Sequence, residues 1–152
     1  MTVQIRRVVE TDEDQWSKLY AGYRAFYKLD DDQRAVNTTW GWVSNAEHGF
    51  IGLVAVIDDT VVGLANLRRF ARPSTAAVGL YLDDLFTTPQ ARGRGVATAL
   101  LREAAAIAAH EGANVVRWIT AADNAGARRV YDKVAAATPW VTYDLKPAAR
   151  ES

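Results

Sequence analysis

The sequence predicts a mixed α/β (α+β) domain, a largely antiparallel sheet with helices on its faces. Three observations predict it. Two dense apolar runs, 50–57 and 61–69, flank Asp58-Asp59 and read as a hairpin. Apolar residues at 96, 100, 101, 104, 107 and 108 mark one helical face, set between two further strand-like runs. The 152 residues are 49% apolar and 24% charged, which suits one packed core and leaves little room for a second.

Each element follows from local pattern. Val3–Val8 alternates weakly and reads as a first strand. Thr11 with Asp14 three residues on resembles a capping box. Trp16, Leu19, Tyr20, Tyr23, Phe26 and Tyr27 recur at three- and four-residue spacing, so the first helix runs to about Tyr27. Asp30-Asp31-Asp32 starts a second helix with Val36, Trp40 and Val43 as its stripe. Val78–Thr87 is the strand after the hairpin, and the helix from Val96 ends at Glu111-Gly112, with Gly in its usual place past the last turn. Val115–Thr120 reads as a strand, Asp123–Val134 as a short helix and Trp140–Leu145 as a last strand. The order is β-α-α-β-β-β-α-β-α-β. One domain is expected over 1–146, followed by a short tail at 147–152.

Composition excludes several classes. Lys plus Arg is 18 and Asp plus Glu is 18, a balance that argues against a dedicated nucleic-acid binder. There is no cysteine, so disulfides, thiolate metal sites and a catalytic thiol are ruled out. His48 and His110 are too few for a histidine metal cluster, so no metal is expected. No apolar run is long enough to cross a membrane, and the N-terminus lacks the apolar core of a secretory signal. The expectation is a cytoplasmic protein with no membrane partner.

The stretch 85–97, Leu-Phe-Thr-Thr-Pro-Gln-Ala-Arg-Gly-Arg-Gly-Val-Ala, carries the most chemistry. A strand enters a short loop, Gly93 and Gly95 sit two apart, and a helix starts at once. Glycines let backbone approach a phosphate, and a helix N-terminus offers free N–H groups and a positive dipole end. Arg92 and Arg94 add charge that suits a diphosphate. A Walker loop would need Lys then Ser/Thr where Val96-Ala97 stand, and a dinucleotide fingerprint would need Gly where Thr98 stands. The plain alternative is a flexible turn before a helix.

These residues resemble a known family. Arg92-x-x-Gly95-x-Ala97 is similar to motif A of the GCN5-related N-acetyltransferases, Q/R-x-x-G-x-G/A. Leu85-x-Thr87-x-Pro89 resembles the end of that family's fourth strand, and Trp118-x-Thr120 its fifth. Asn124, Ala127 and Tyr131 match its N-x-x-A-x-x-x-Y pattern, and the aromatic first helix resembles the Hpa2-type and diamine-acetyltransferase branches. Ala135-Ala136 depart from the usual Gly-aromatic pair. The resemblance spans about Ile5 to Leu145. It implies that acetyl-CoA is held by Leu85, Phe86 and Thr87 through main-chain groups, by the loop from Arg92 through Gly93, Arg94, Gly95, Val96 and Ala97 to Thr98, and by Asn124, Ala127 and Tyr131.

The resemblance also implies roles in catalysis. Tyr131 is then the general acid for the leaving thiolate; on helical position alone it reads as a packed core aromatic. Asn124 is assigned to the pantetheine arm, and as a helix cap by residue type. Asp83 and Asp84 interrupt an apolar strand, where carboxylates are costly unless paired or solvated. A regular strand sends only one of them to the cleft, and a bulge changes that. Diamine acetyltransferases resemble this stretch and use such acids to bind a cationic acceptor; an ion pair with Arg68 or Arg117 is the alternative. Tyr23 and Tyr27 are expected to line the acceptor side. Asp30–Asp32 read as a solvated cap or as a negative rim. The expectation is direct acetyl transfer from acetyl-CoA to a primary amine, small or on a protein, by a homodimer; an acyl-CoA-binding regulatory module and a nucleotide-phosphate binder are the other readings.

Overall fold

The structure is a computed structural model that describes residues 2–150. The chain divides after Thr120 into two compact units. The first holds a five-stranded sheet in the order of the chain: β1 (Gln4–Arg7), β2 (Phe50–Ile57), β3 (Thr60–Arg72), β4 (Ala77–Thr87) and β5 (Val116–Arg117). The first three pairings are antiparallel and the β4–β5 pairing is parallel. The mixed, mostly antiparallel sheet is the one expected.

The hairpin turns on Asp58 and Asp59, with φ of 48° and 64°. Both values are left-handed, as a two-residue turn between right-twisted strands requires, and Asp tolerates that region. Helix α1 (Glu13–Phe26) and helix α2 (Gln33–Ser44) cover one sheet face. Trp16, Leu19 and Tyr20 of α1 and Val36, Trp40 and Val43 of α2 meet Val54, Val56, Leu64 and Phe86. Each fully buried aliphatic side chain of this set contributes on the order of 1.5–3 kcal/mol.

Helix α3 (Val96–Glu111) packs against β2, β3 and β4. It lies on the opposite face, because the alternate strand residues Leu53, Ala55 and Leu67 are buried as well. Cover on both faces explains why β2 is a continuous apolar run. A Cβ on Gly63 would stand 2.8 Å from Val96 Cγ1, so glycine lets the first turn of α3 sit down on β3.

Three details differ from the sequence reading. Thr11 does not cap α1. The buried carboxylate of Asp12 accepts the Val9 N–H at 2.8 Å and Arg6 at 2.7 and 2.9 Å. A buried acid needs such partners, and the Arg6 hydrogen bond holds its pKa below the usual carboxylate value. Next, β5 shrinks to Val116–Arg117.

The third difference lies in the second unit, which contains helix α4 (Ala125–Val134), capped by Asn124 Oδ1 accepting the Ala127 N–H at 3.4 Å. The expected strand Trp140–Leu145 is absent. Trp140 is 80% exposed and Leu145 is 95% exposed. An apolar pattern becomes a strand only beside an edge that bonds to it, and among the described residues none is paired with this segment.

Candidate active site

The site begins with a fault in the β3–β4 ladder. Asn66 faces Asp84, while the next residue along, Leu67, faces Leu82, so Asp83 is an extra residue in β4. This is a β-bulge, and it breaks the alternation of side chains. Asp83 accepts Arg68 Nε at 2.8 Å, and Asp84 Oδ2 accepts Asn66 Nδ2 at 2.9 Å. Arg68 and Asn66 are two apart on β3, so they share a face. Both acids therefore point to the side covered by α1.

Their surroundings differ. Asp83 forms a partly exposed ion pair with Arg68, whose guanidinium also lies over the Tyr81 ring. Burial raises the Asp83 pKa, Arg68 opposes that, and the neighbouring Asp84 adds to it. The pair is worth at most about 1 kcal/mol at this exposure. Among the described residues no arginine pairs with Asp84. This acid receives the Tyr20 hydroxyl at 3.1 Å and the Asn66 amide. The Asp83 side of the sequence reading thus resolves to an ion pair, and Asp84 is the acid without a fixed cation.

Tyr20 and Tyr23 belong to a ring ladder on α1. Trp16–Tyr20, Tyr20–Tyr23 and Tyr23–Tyr27 stand 4.8, 5.4 and 4.9 Å apart by ring centroids. The spacing that made α1 legible as a helix is what stacks these rings. Burial raises both phenol pKa values, and the charge and hydrogen bonding of Asp84 raise them further. Tyr27 is half exposed at the end of the ladder. Asp32 is a cap, its Oδ1 accepting the Ala35 N–H at 3.1 Å.

At the end of β4 the chain turns into the glycine loop. β4 pairs with β5 only at Leu80–Val116 and Tyr81–Arg117. Beyond Tyr81 that edge of β4, which includes Leu85, Phe86 and Thr87, leaves the ladder. Gly93 and Gly95 have φ of 80° and 77°, and a Cβ on either would meet nothing within 4 Å. The loop backbone faces open space, and the left-handed φ values are what demand glycine. Gly95 is the N-cap of α3, no side chain caps that end, and no acidic residue lies in its first turn. The N–H groups of Val96, Ala97 and Thr98 are thus left at a positive helix end. Arg94 is exposed beside it. Arg92 Nε donates to Thr87 O at 3.2 Å, and its guanidinium lies 5.2 Å from the Phe26 centroid and 5.6 Å from that of Phe86. An open, uncapped helix end flanked by two arginines fits a diphosphate. A cleft of about 610 Å³ opens beside it, lined by Lys18, Gly22, Phe26, Phe86, Pro89 and Arg92.

Asn124, Ala127 and Tyr131 lie in the second unit. Asn124 caps α4, and all three are half-buried. Asn66 and Tyr20 were not singled out as site residues by the sequence. The available signal for Asn66 was a lone amide in the apolar run Val61–Leu67.

Residues 10–136 match the acetyltransferase (GNAT) family, and the chain belongs to it. It is therefore an enzyme, an N-acetyltransferase of the class that takes its acetyl group from acetyl-CoA. The D-amino-acid N-acetyltransferase HPA3 of Saccharomyces cerevisiae is 27% identical over 143 residues, 93% of this chain and 89% of that protein. Among solved structures, the ribosomal-protein-alanine N-acetyltransferase of Brucella melitensis biovar Abortus 2308 superposes with a TM-score of 0.81 at 21% identity, over 96% of this chain and 99% of that one. AAC(6')-Iy in complex with a bisubstrate analogue, CoA-S-monomethyl-acetylneamine, gives 0.84 at 18% identity, over 97% and 100%. These two share the fold. Among the described residues no cluster fits a metal ion, and no helix is long and apolar enough to cross a membrane.

The buried phenols give a testable pH dependence. Folding keeps Tyr20 and Tyr23 neutral, with pKa values above the ordinary 10.0. Their contribution is complete below that value and is lost as the pH rises through it, because unfolded tyrosines ionise there and the folded ones do not. Stability measured by urea unfolding is expected to fall above pH 10, and Tyr20→Phe/Tyr23→Phe to flatten that fall.

Proposed function

We propose that this enzyme acetylates a positively charged primary amine, with Asp84 receiving the acceptor and the Arg92–Thr98 loop holding acetyl-CoA. The observation that carries the reading is the bulge that sets Asp84, unpaired with any arginine, among the Tyr20 and Tyr23 hydroxyls. Polyamines, basic amino acids and lysine side chains are the acceptor classes this chemistry suits. The name of the yeast relative adds free amino acids to the screen. We further propose a single acetyltransferase domain over 1–146 with a tail at 147–152, working in the cytoplasm as a homodimer.

Acetyl-CoA supplies an activated thioester. The chain's own residues do the rest. Backbone N–H groups at the start of α3, with Arg92 and Arg94, neutralise the diphosphate. The open β4 edge at Leu85–Thr87 offers main-chain groups to the pantetheine arm, with Asn124 and Ala127 assigned to the same arm by the motif on α4. Asp84 attracts the ammonium and takes one proton, directly or through water, leaving a nitrogen lone pair free to attack. A C–N bond forms, the C–S bond breaks, and Tyr131 gives a proton to the thiolate. The second proton of the amine returns to Tyr131 through solvent, Asp84 releases its own, and one proton leaves per turnover. With no cysteine in the chain, an acyl-cysteine stage is impossible. Tyr23 and Tyr27 present ring faces to the cation. Asp83, tied to Arg68, shapes the charge beside it.

Four outcomes are expected. Gly95→Asp places a negative side chain in the open loop, and acetyl-CoA should no longer raise the melting temperature, measured by thermal shift. Tyr131→Phe should lower kcat by roughly 10²–10⁴-fold with acetyl-CoA affinity little changed, read by release of free CoA thiol. Asp83→Asn/Asp84→Asn should lower acceptor kcat/KM and spare acetyl-CoA binding; parental kcat/KM, or a screen in which only neutral or anionic amines react, defeats the cationic reading. Light scattering at micromolar concentration should give the mass of a dimer.

A further inference from the structure

Asn66 is the one fully buried polar side chain in the middle of β3, at 0% exposure. Its neighbours along the strand, Leu64, Ala65 and Leu67, are buried and apolar. Among the described residues nothing donates to its Oδ1. A buried amide with an unanswered oxygen is costly compared with an aliphatic residue of similar size. Packing alone does not account for an asparagine here.

The ladder shows what the residue does. Asn66 stands opposite Asp84, at the bulge. Its Nδ2 donates to Asp84 Oδ2 at 2.9 Å, and the Tyr20 hydroxyl donates to the same oxygen at 3.1 Å. Two donors on one oxygen, one from β3 and one from α1, fix the rotation of the carboxylate. Oδ1, to which neither of them donates, is then presented in one direction, beside the Tyr23 hydroxyl, whose pKa this acid also raises. Tyr20 is itself held by its stack on Trp16. Asn66 is held by the strand and by the core around it, so the pair forms a rigid bracket rather than a flexible contact.

We propose that Asn66 is a positioning residue for the acceptor amine. By holding Oδ2 it aims Oδ1 of Asp84 at the ammonium, and so sets acceptor use without touching the acceptor. The inference rests on Asp84 receiving the amine.

The test is a double-mutant cycle on the full chain, with the best amine from the acceptor screen. Asn66→Leu removes the donor and keeps the number and branching of the heavy atoms. Acceptor kcat/KM should fall about tenfold, as expected for one hydrogen bond to a charged group. The KM for acetyl-CoA should stay at the parental value, and the melting temperature should hold or rise. Asn66→Leu/Asp84→Asn should be no slower than Asp84→Asn alone, since the two residues act through one carboxylate. Losses that multiply overturn the proposal. So does a lowered melting temperature with parental kcat/KM, which is the mark of a purely structural amide. Should Asn66→Leu fail to fold, Asn66→Ser carries the same cycle, because a hydroxyl on Cβ falls short of Asp84 and the tenfold loss should persist. The two levels of the argument separate cleanly. If Asp84→Asn keeps parental kcat/KM, the reading of Asp84 falls and this one with it. If Asp84→Asn is impaired and neither Asn66 variant is, the positioning role alone is wrong.

Discussion

An antiparallel ladder keeps its side chains in strict alternation until a residue is inserted, and then everything downstream changes face. In this chain the insertion is Asp83, between the pairs Asn66–Asp84 and Leu67–Leu82. Before it, Leu80 and Leu82 are buried, and after it Phe86 joins the core formed with α1 and α2. Had strict alternation run on through Asp83, both Asp84 and Phe86 would fall on the α3 side. The aromatic ladder of α1 would then meet Asp83 in place of Asp84, and no Phe86 edge would close on Tyr23. Which acid and which aromatic of β4 meet α1 depends on that one step.

The bulge also separates the work of two adjacent carboxylates. Two acids side by side repel, and a strand rarely tolerates both. Here Arg68 takes Asp83, and neutral donors take Asp84. One acid is answered by a charge and the other by hydrogen bonds, so only the second keeps a net field for a cation. A sequence shows that the acids are neighbours. It does not show which of them an arginine on the neighbouring strand will reach.

Much of the fold was legible because local rules agree with the tertiary outcome. The Asp58-Asp59 turn, the ring spacing of α1, the apolar face of α3 and Gly112 at its end are all set by contacts within a few residues. The glycine loop was legible for the same reason, since left-handed φ at Gly93 and Gly95 is a local demand. What escaped depends on distant partners. Asn66 acquires its role only when β4 arrives with its bulge. The start of α1 has no side-chain cap, and the Asp12 carboxylate turns back to the Val9 N–H and to Arg6 on another element. Val115–Thr120 and Trp140–Leu145 have strand composition, but composition cannot supply a neighbouring edge, and only Val116–Arg117 found one.

The near-contact between Gly63 and Val96 ties the core to the loop that ends β4. A single methyl group on Gly63 would meet Phe86 O at a tight 3.2 Å and Val96 Cγ1 at 2.8 Å, the second a separation real side chains do not accept. The first turn of α3 would have to lift, and its N–H groups would lift with it. If the proposed anion cradle is there, its affinity would be coupled to Gly63, a residue that faces the core. Drift in the sequence of the core, even a change as small as glycine to alanine, would be felt as a change in how tightly an anion is grasped at the surface.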